Sequence, residues 1–235
     1  MIKFGSLLLL VGGWWLVVGA SQAQAQEVDL LWQGDSYVPP FYEGRTLWSS
    51  QSGITFLAIP HGVGIGNPAN LIYKWTKNGT VLGNINGVGR NTLSFTDSIL
   101  SKPQTIKIDV LSGQGAALAS ASVTVTPIPP MLAIYENNPL YGFMFHRETG
   151  GIHKLQNQEV TFAAFPLFFS ALNRSGDTVD YEWRTNTGGE AGTGSSATYR
   201  APDNVTGSSQ VEVRASSKDK ILQSAGKSFF IQFGK

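Results

Sequence analysis

The chain has 235 residues and a nearly balanced charge, with 17 Lys and Arg against 16 Asp and Glu. Only 14% of the residues are charged and no basic stripe occurs, which disfavours electrostatic binding to nucleic acid or anionic lipid. The chain contains no Cys, which excludes disulfides and a lipid-modified N-terminal Cys and fits a bacterial export route.

Residues 1–25 predict an N-terminal signal peptide. A short basic start with Lys3 precedes an apolar run over residues 4–20, and Ala23-Gln24-Ala25 offers a small-x-small cleavage site. The mature chain would then begin near Gln26, with no membrane insertion after cleavage. An uncleaved membrane tether is the alternative, because the apolar run is close to spanning length. Periplasmic, surface-attached and secreted fates all remain open.

The first half of the mature chain, residues 26–126, predicts a series of short β-strands. The first two cover residues 28–32 and 54–59, and Pro60 is expected to end the second. The next covers residues 71–76 and leads into Asn78-Gly79, a pair typical of a type I′ hairpin turn. Further strands are predicted at residues 92–95, 105–110 and 119–125.

Residues 127–130 form a proline-rich linker, which we expect to be extended and stiff. The second half, residues 131–235, then repeats the strand series, with a loop rich in Gly, Thr and Ser expected between residues 185 and 196. Its strands are predicted at residues 160–165, 179–184, 197–200, 210–215 and 228–233.

A Tyr-x-Trp pair recurs in the two halves, as Tyr73 and Trp75 and then as Tyr181 and Trp183. Residues two apart in a strand point to the same face of a sheet, so each pair shares a face. Large aromatic side chains dominate the cores of β-sandwiches. We therefore interpret all four residues as structural core and not as a ligand-stacking site.

The order of these motifs resembles PKD-type and related bacterial Ig-like domains. The first half carries ITFLAIP, YKW and IKIDV, and the second half carries VTFAAFP, YEW and VEV. The resemblance covers nearly all of the mature chain. It implies an all-β fold of two tandem Ig-like (PKD-like) β-sandwich domains, and it implies no activity.

The sequence predicts no catalytic residue, no cofactor and no metal site, so we expect the chain not to be an enzyme. No Gly-x-Ser-x-Gly elbow occurs, and the Ser-x-x-Lys match at residues 217–220 lacks its companion motifs and falls at a predicted hairpin tip. A calcium role for Asp177, Asp180 and Glu182 is a minor alternative, because a hard cation needs several converging oxygens. An enzyme site assembled from distant loops is the least favoured alternative.

Aromatic residues between the predicted strands form the candidate binding surface. Exposed rings could stack on sugars or dock a protein partner, whereas the alternative is that they cover the open edge of each sandwich. The residues are Tyr37, Phe41, Tyr42, Trp48, Tyr141, Phe143 and Phe145.

We therefore expect an exported, non-catalytic interaction or structural module of the cell envelope or surface. Its expected partners are other envelope or surface proteins. A secreted module that binds glycans or another ligand through exposed aromatic rings is the alternative. Because folds host many functions, this step from fold to role is an analogy.

Overall fold

The computed structural model describes residues 26–174, 177–186 and 190–234, so the predicted signal peptide lies outside the described range. Within it, the chain folds into β-strands with one short 3₁₀ turn at Pro68–Asn70, and no helix is long and apolar enough to cross a membrane. The all-β prediction is confirmed. The first eight strands are β1 (Glu27–Asp35), β2 (Gly53–His61), β3 (Ile72–Lys77), β4 (Thr80–Val81), β5 (Gly87–Val88), β6 (Thr92–Thr96), β7 (Gln104–Leu111) and β8 (Ala117–Val125).

These eight strands form the first β-sandwich. One sheet has the order β1-β2-β6 and the other the order β4-β3-β7-β8, with β5 also paired to β3. All pairs are antiparallel. Inward residues alternate with outward polar ones on β7, where Ile106, Ile108 and Val110 are fully buried. The alternation that predicts these strands therefore also sets which face packs in the core.

The second sandwich repeats this plan with additional strands. Its four-stranded sheet has the order β10-β9-β12-β15, and its five-stranded sheet has the order β11-β17-β16-β13-β14. Strand β11 is the exception to antiparallel pairing, because it runs parallel to β17. The strands are β9 (Met131–Asn138), β10 (Gly142–Phe143), β11 (Gly151–Lys154), β12 (Glu159–Leu167), β13 (Val179–Thr185), β14 (Glu190–Thr193), β15 (Ser196–Arg200), β16 (Gly207–Ser217) and β17 (Ser224–Phe233).

The Tyr-x-Trp pairs lie in the two cores. Trp75 is fully buried and Trp183 is 1% exposed, and both donate the indole N–H to a backbone carbonyl at 2.9 Å. Tyr73 and Tyr181 are also buried, and each donates its hydroxyl to a carbonyl upstream in the chain. Burial raises the pKa of the Tyr181 hydroxyl well above its usual range. Each ring thus fills core volume while its polar atom keeps a partner.

The turn prediction at Asn78-Gly79 is confirmed, because both residues have positive φ, 50° and 80°, between the paired strands β3 and β4. The predicted end of β2 at Pro60 is wrong. Pro60 lies within β2 and pairs with Val28 of β1, whereas the other neighbour, β6, reaches only to Leu57. A proline fits there because no strand on that side needs its missing N–H.

The predicted loop between residues 185 and 196 is also wrong in part. It contains β14, which pairs with β13 at Glu182, Trp183 and Arg184. The register shifts between Trp183 and Arg184, as in a β-bulge. This short strand lies in a Gly-rich stretch and carries little hydrophobic alternation, so its sequence pattern is that of a loop.

Candidate functional site

Residues 36–52, between β1 and β2, lie against the second sandwich; we call them the docking segment. Tyr37 and the second sandwich exchange backbone hydrogen bonds, since the Tyr37 N–H donates to the Phe169 carbonyl at 2.7 Å and the Phe168 N–H donates to the Tyr37 carbonyl at 2.8 Å. Further along, the Ile128 N–H donates to the Trp48 carbonyl at 2.9 Å. The docking segment therefore holds both the second sandwich and the linker.

The docking segment passes close to the end of β1. The Gly34 N–H donates to the Thr46 carbonyl at 2.7 Å, and a Cβ atom at position 34 would collide with the Leu47 backbone. Glycine is thus required at this close approach. It allows the chain to return over β1 before entering β2.

A buried amide connects the docking segment to the second sandwich. The Gln223 side chain is 1% exposed, and its Nε2 donates to the Ser50 carbonyl at 2.8 Å and to the Ser170 hydroxyl at 3.0 Å. Its Oε1 accepts from the Ser170 N–H at 2.8 Å. The Ser49 hydroxyl donates to the Phe168 carbonyl at 2.5 Å. Buried polar groups that are fully satisfied specify one arrangement of the elements they join.

Apolar side chains complete this junction. The outward face of β9 and β12 is buried, although outward faces of sandwich sheets normally meet solvent. Side chains of the docking segment and the linker cover it. The covered residues are Ala133, Tyr135, Ala163, Phe165, Leu167 and Phe168, and the covering residues are Val38, Phe41, Tyr42, Leu47 and Ile128.

One margin of this junction is an aromatic cluster that reaches solvent; we call it the aromatic edge, formed by Phe41, Tyr135, Phe143, Phe145 and Phe165. Ring centroids lie 4.6 Å apart for Phe41 and Phe145, and 5.2 Å apart for Phe143 and Phe165. Phe143 and Phe145 are each 36% exposed. The structure therefore brings three of the predicted surface aromatics together, one from the first sandwich and two from the second.

The other predicted surface residues lie elsewhere. Trp48 is fully buried and donates its indole N–H to the Ser52 carbonyl at 3.2 Å, so it is a core residue and its proposal as a binding residue is corrected. Tyr42 packs edge-on against Phe168 at 5.4 Å. Tyr37 is half-buried, and burial raises the pKa of its hydroxyl. Tyr141 is 77% exposed and precedes the aromatic edge in the β9–β10 hairpin.

Arg174 joins the aromatic edge and was missed from the sequence. Its guanidinium lies 4.9 Å from the Phe143 ring centroid and 4.7 Å from that of Phe165, within cation–π range. It donates to the carbonyls of Ala164 and Ser195 at 3.3 and 3.1 Å. The arginine stands alone in a polar stretch without a motif. It adds a fixed positive charge to a surface that is otherwise apolar.

Two of the three acidic residues considered for calcium, Asp180 and Glu182, have other partners. Asp180 pairs with Lys218 at 3.3 Å, and Glu182 forms an ion pair with Arg184. Across residues 26–174, 177–186 and 190–234, no three His, Asp or Glu side chains converge as a metal site would require.

His153 is the titratable group whose environment gives a testable pH dependence. Its ring packs edge-on against Phe162 at 5.1 Å and lies 3.9 Å from Glu136. Burial lowers the pKa of His153, Glu136 acts in the opposite direction, and Arg147 lowers it further. The unfolded chain therefore binds the proton more tightly than the folded chain does. Stability should fall as the pH drops below about 6.5, the unfolded value.

We expect His153→Gln to reduce this loss of stability between pH 7.5 and pH 5.5. The measurement is urea denaturation at both pH values, with His61→Gln as the matched control, since His61 lies on the exposed outer face of β2. Equal pH dependence in the wild type and His153→Gln would contradict the assignment.

Solved structures of known proteins align with this chain only weakly. No protein-family model and no curated protein matches it, so the PKD-type resemblance stays a prediction. Three N-terminal domains of the bacteriophage RB49 outer capsid protein Hoc align at 18% identity and a TM-score of 0.45, over 88% of this chain and 59% of that one. The fibronectin(III)-like modules of Clostridium thermocellum CbhA align at 14% identity and a TM-score of 0.28, over 86% and 93%.

The Yersinia pseudotuberculosis adhesin InvE aligns at 13% identity and a TM-score of 0.24, over 80% of this chain and 55% of that chain. The chain thus spans less than two thirds of the Hoc and InvE structures. These weak similarities assign neither an activity nor a partner to this chain.

Proposed function

We propose that the chain is a non-catalytic, exported interaction module of the cell envelope or surface, and that it binds a protein partner through the aromatic edge. The observation that supports this most directly is the position of Phe143 and Phe145, which remain 36% exposed inside a cluster whose other rings are packed. Rings held in place by their neighbours lose little freedom on binding, which favours affinity.

The composition of the edge suits a protein partner. Aromatic residues and arginine are enriched among the residues that contribute most to protein–protein binding. Here Arg174 lies over two of the rings and is anchored by two carbonyls, so its charge is presented in a fixed direction. Tyr141 extends the same surface, since it lies one residue before β10 and is 77% exposed.

The docking segment supports the proposal in a second way. Phe41 comes from the first sandwich, whereas Phe143 and Phe145 come from the second, and their rings are in contact. The complete edge, with the Phe41 ring in place, therefore requires that the two sandwiches are joined. A rigid pair of sandwiches is a suitable spacer and platform at a cell surface.

A glycan-binding role is the second candidate. Tyr141 lies two residues before Phe143 and is 77% exposed, and sugars bind to surfaces that combine an aromatic face with a polar group. A glycan would need no protein partner, so binding of the purified chain to immobilised glycans separates the two candidates.

The test is site-specific photo-cross-linking in the native cells. The benzophenone amino acid p-benzoylphenylalanine is placed at Tyr141, and at Val63 as the matched control, because Val63 is 68% exposed but follows β2 in the first sandwich. We expect a discrete protein adduct from position 141 that is absent from position 63. The adduct should disappear when Phe143→Ala and Phe145→Ala are added to a chain that still shows the wild-type thermal transition.

Two outcomes would overturn the protein-binding proposal. Adducts that are the same from both positions would mean that the edge has no special role. Binding to immobilised glycans that is lost in the Phe143→Ala/Phe145→Ala chain, without any protein adduct, would establish the second candidate instead.

A further inference from the structure

Among the residues that the structure describes, no segment covers the outer face of the five-stranded sheet of the second sandwich; we call it the free face. The docking segment covers the four-stranded sheet on the opposite side of this sandwich. Every second residue of β17, β16 and β13 points to the free face, and these residues are polar or exposed, whereas the residues between them are mostly buried. Two large apolar side chains, Phe230 and Ile152, are nevertheless 46% and 60% exposed there.

Four charged residues at the centre of the free face form an alternating grid. Glu182 of β13 pairs in register with Arg214 of β16, and the next outward position on β13, Arg184, pairs with Glu212. Each charge thus has an opposite charge beside it along the strand and across the strands. The grid carries no net charge. Successive outward residues are two apart in the chain, so a shift of the grid by two residues along either strand sets each Glu where an Arg stood and each Arg where a Glu stood.

Small residues beside this grid create a shallow depression of about 580 Å³, and Glu182, Arg184, Glu212 and Arg214 are among its lining residues. Its floor is β17, where Ser224, Gly226 and Ser228 succeed one another on the free face. Phe230 is the next outward residue on the same strand. Strand β17 therefore carries the projecting ring of Phe230 and, at Gly226 and Ser224, a depression that could hold such a ring.

We propose that the free face binds the free face of a second copy of this chain, with a two-fold axis that crosses the strands between residues 182 and 184. This operation sets Glu182 opposite Arg184 of the second copy. On β16 it sets Arg214 opposite Glu212, and on β17 it sets Phe230 opposite Ser224, within the depression. In such an isologous contact every pair occurs twice.

A two-fold axis parallel to the strands is the competing geometry. It also sets opposite charges face to face, because the grid inverts in both directions. However, it lays β17 of one copy over β14 of the other, so Phe230 no longer faces the depression. The axis across the strands therefore sets opposite charges face to face and also sets Phe230 opposite the depression. The axis along the strands sets only the opposite charges face to face.

The size of the free face sets the expected strength. Strands of up to 11 residues spaced about 4.8 Å apart give a usable face on the order of 600 Å² per copy. A standard stable interface buries about 800 Å² per partner. We therefore expect a weak dimer that half-dissociates at about 10 to 100 µM and weakens with added salt.

Two double variants with identical composition test the proposal. In Glu182→Arg/Arg184→Glu, opposite charges still face each other across the proposed axis, so dimerisation should be retained. In Glu182→Arg/Arg214→Glu, like charges face each other, so the association constant should fall about tenfold or more. The charges that face each other across β13 and β16 within one copy change in the opposite way. Glu182→Arg/Arg214→Glu keeps opposite charges at these positions, whereas Glu182→Arg/Arg184→Glu places like charges there.

The measurement is sedimentation equilibrium of the full chain from 1 to 500 µM in low and high salt. The variant expected to lose the dimer keeps opposite charges across β13 and β16 but loses the Glu182–Arg184 ion pair within each copy. Its thermal transition is therefore measured as well, so that a loss of association in a folded chain is distinguished from unfolding. Phe230→Ser should also weaken association about tenfold, while Arg200→Glu, on β15 of the covered sheet, should not.

Three results would overturn the inference: a wild-type chain that is monomeric up to 500 µM, equal association of the two double variants, or a dimer retained only by Glu182→Arg/Arg214→Glu. The last result would assign the axis along the strands. None of these results affects the proposed partner binding at the aromatic edge, which lies on the other side of the sandwich.

Discussion

Trp75→Ala and Trp183→Ala should each unfold the sandwich that contains the residue. Trp75 is fully buried and Trp183 is 1% exposed, and each indole N–H donates to a backbone carbonyl. Truncation to Ala removes the ring from the core, leaves a cavity, and leaves the carbonyl that accepted the indole N–H without that hydrogen bond. Substitutions of this kind cost about 3–5 kcal/mol, which is a large fraction of the stability of a single domain.

Urea denaturation followed by circular dichroism measures the effect. Trp32→Ala is the matched control, because Trp32 is only half-buried on β1 and Arg45 lies over its ring. The control should lose distinctly less stability than either core variant. An unchanged denaturation midpoint in Trp75→Ala or Trp183→Ala would show that these residues are not structural core.

Phe41→Ala should uncouple the two sandwiches. Its ring lies 5.0 Å from the Tyr135 ring, 4.6 Å from that of Phe145 and 5.5 Å from that of Phe165, so one side chain of the first sandwich contacts three rings of the second. We expect a loss of about 2 kcal/mol, below the full cost for a buried Phe because Phe41 is only partly buried. The loss should fall mainly on the contact between the sandwiches.

Differential scanning calorimetry detects this uncoupling. The wild type should melt in one transition and Phe41→Ala in two, because the sandwiches then unfold independently. Tyr141→Ala is the matched control, since Tyr141 is 77% exposed and should leave the transition unchanged. If Phe41→Ala melts like the wild type, the ring does not hold the sandwiches together.

The sequence predicts the strands well where one face is buried. Strand β7 alternates apolar and polar residues, and its inward residues Ile106 and Ile108 are fully buried. The Asn78-Gly79 turn is predicted for a similar reason, since its backbone geometry depends on two adjacent residues. Both features are local, so neighbouring residues determine them.

The junction could not be predicted in the same way, because it joins residues far apart in the chain. Phe41 contacts Phe165, and the Leu222 N–H donates to the Gln51 side chain at 2.8 Å. One signal was nevertheless present. Strand β12 is an almost unbroken apolar run instead of an alternating one, which is typical of a strand buried on both faces.

Single polar residues at the site leave no such pattern. Arg174 stands in a polar stretch and Gln223 in a short connection between two strands, and for polar residues at such positions an exposed side chain is the ordinary expectation. Their roles come from the carbonyls and hydroxyls that the folded chain sets around them. Sequence alone therefore predicts three of the five rings of the aromatic edge, but neither the cation beside them nor the amide at the junction.

The docking segment has a consequence for biosynthesis. Residues 36–52 leave the ribosome well before the strands that they cover, β9 and β12, have been made. During that interval Val38, Phe41 and Leu47 have no surface to pack on, and the nascent chain displays them to whatever chaperones it meets. When the second sandwich is synthesised, in contrast, the segment that will cover its four-stranded sheet is already present. If the second sandwich were synthesised first, the outer face of β9 and β12 would instead be exposed until the docking segment had been made.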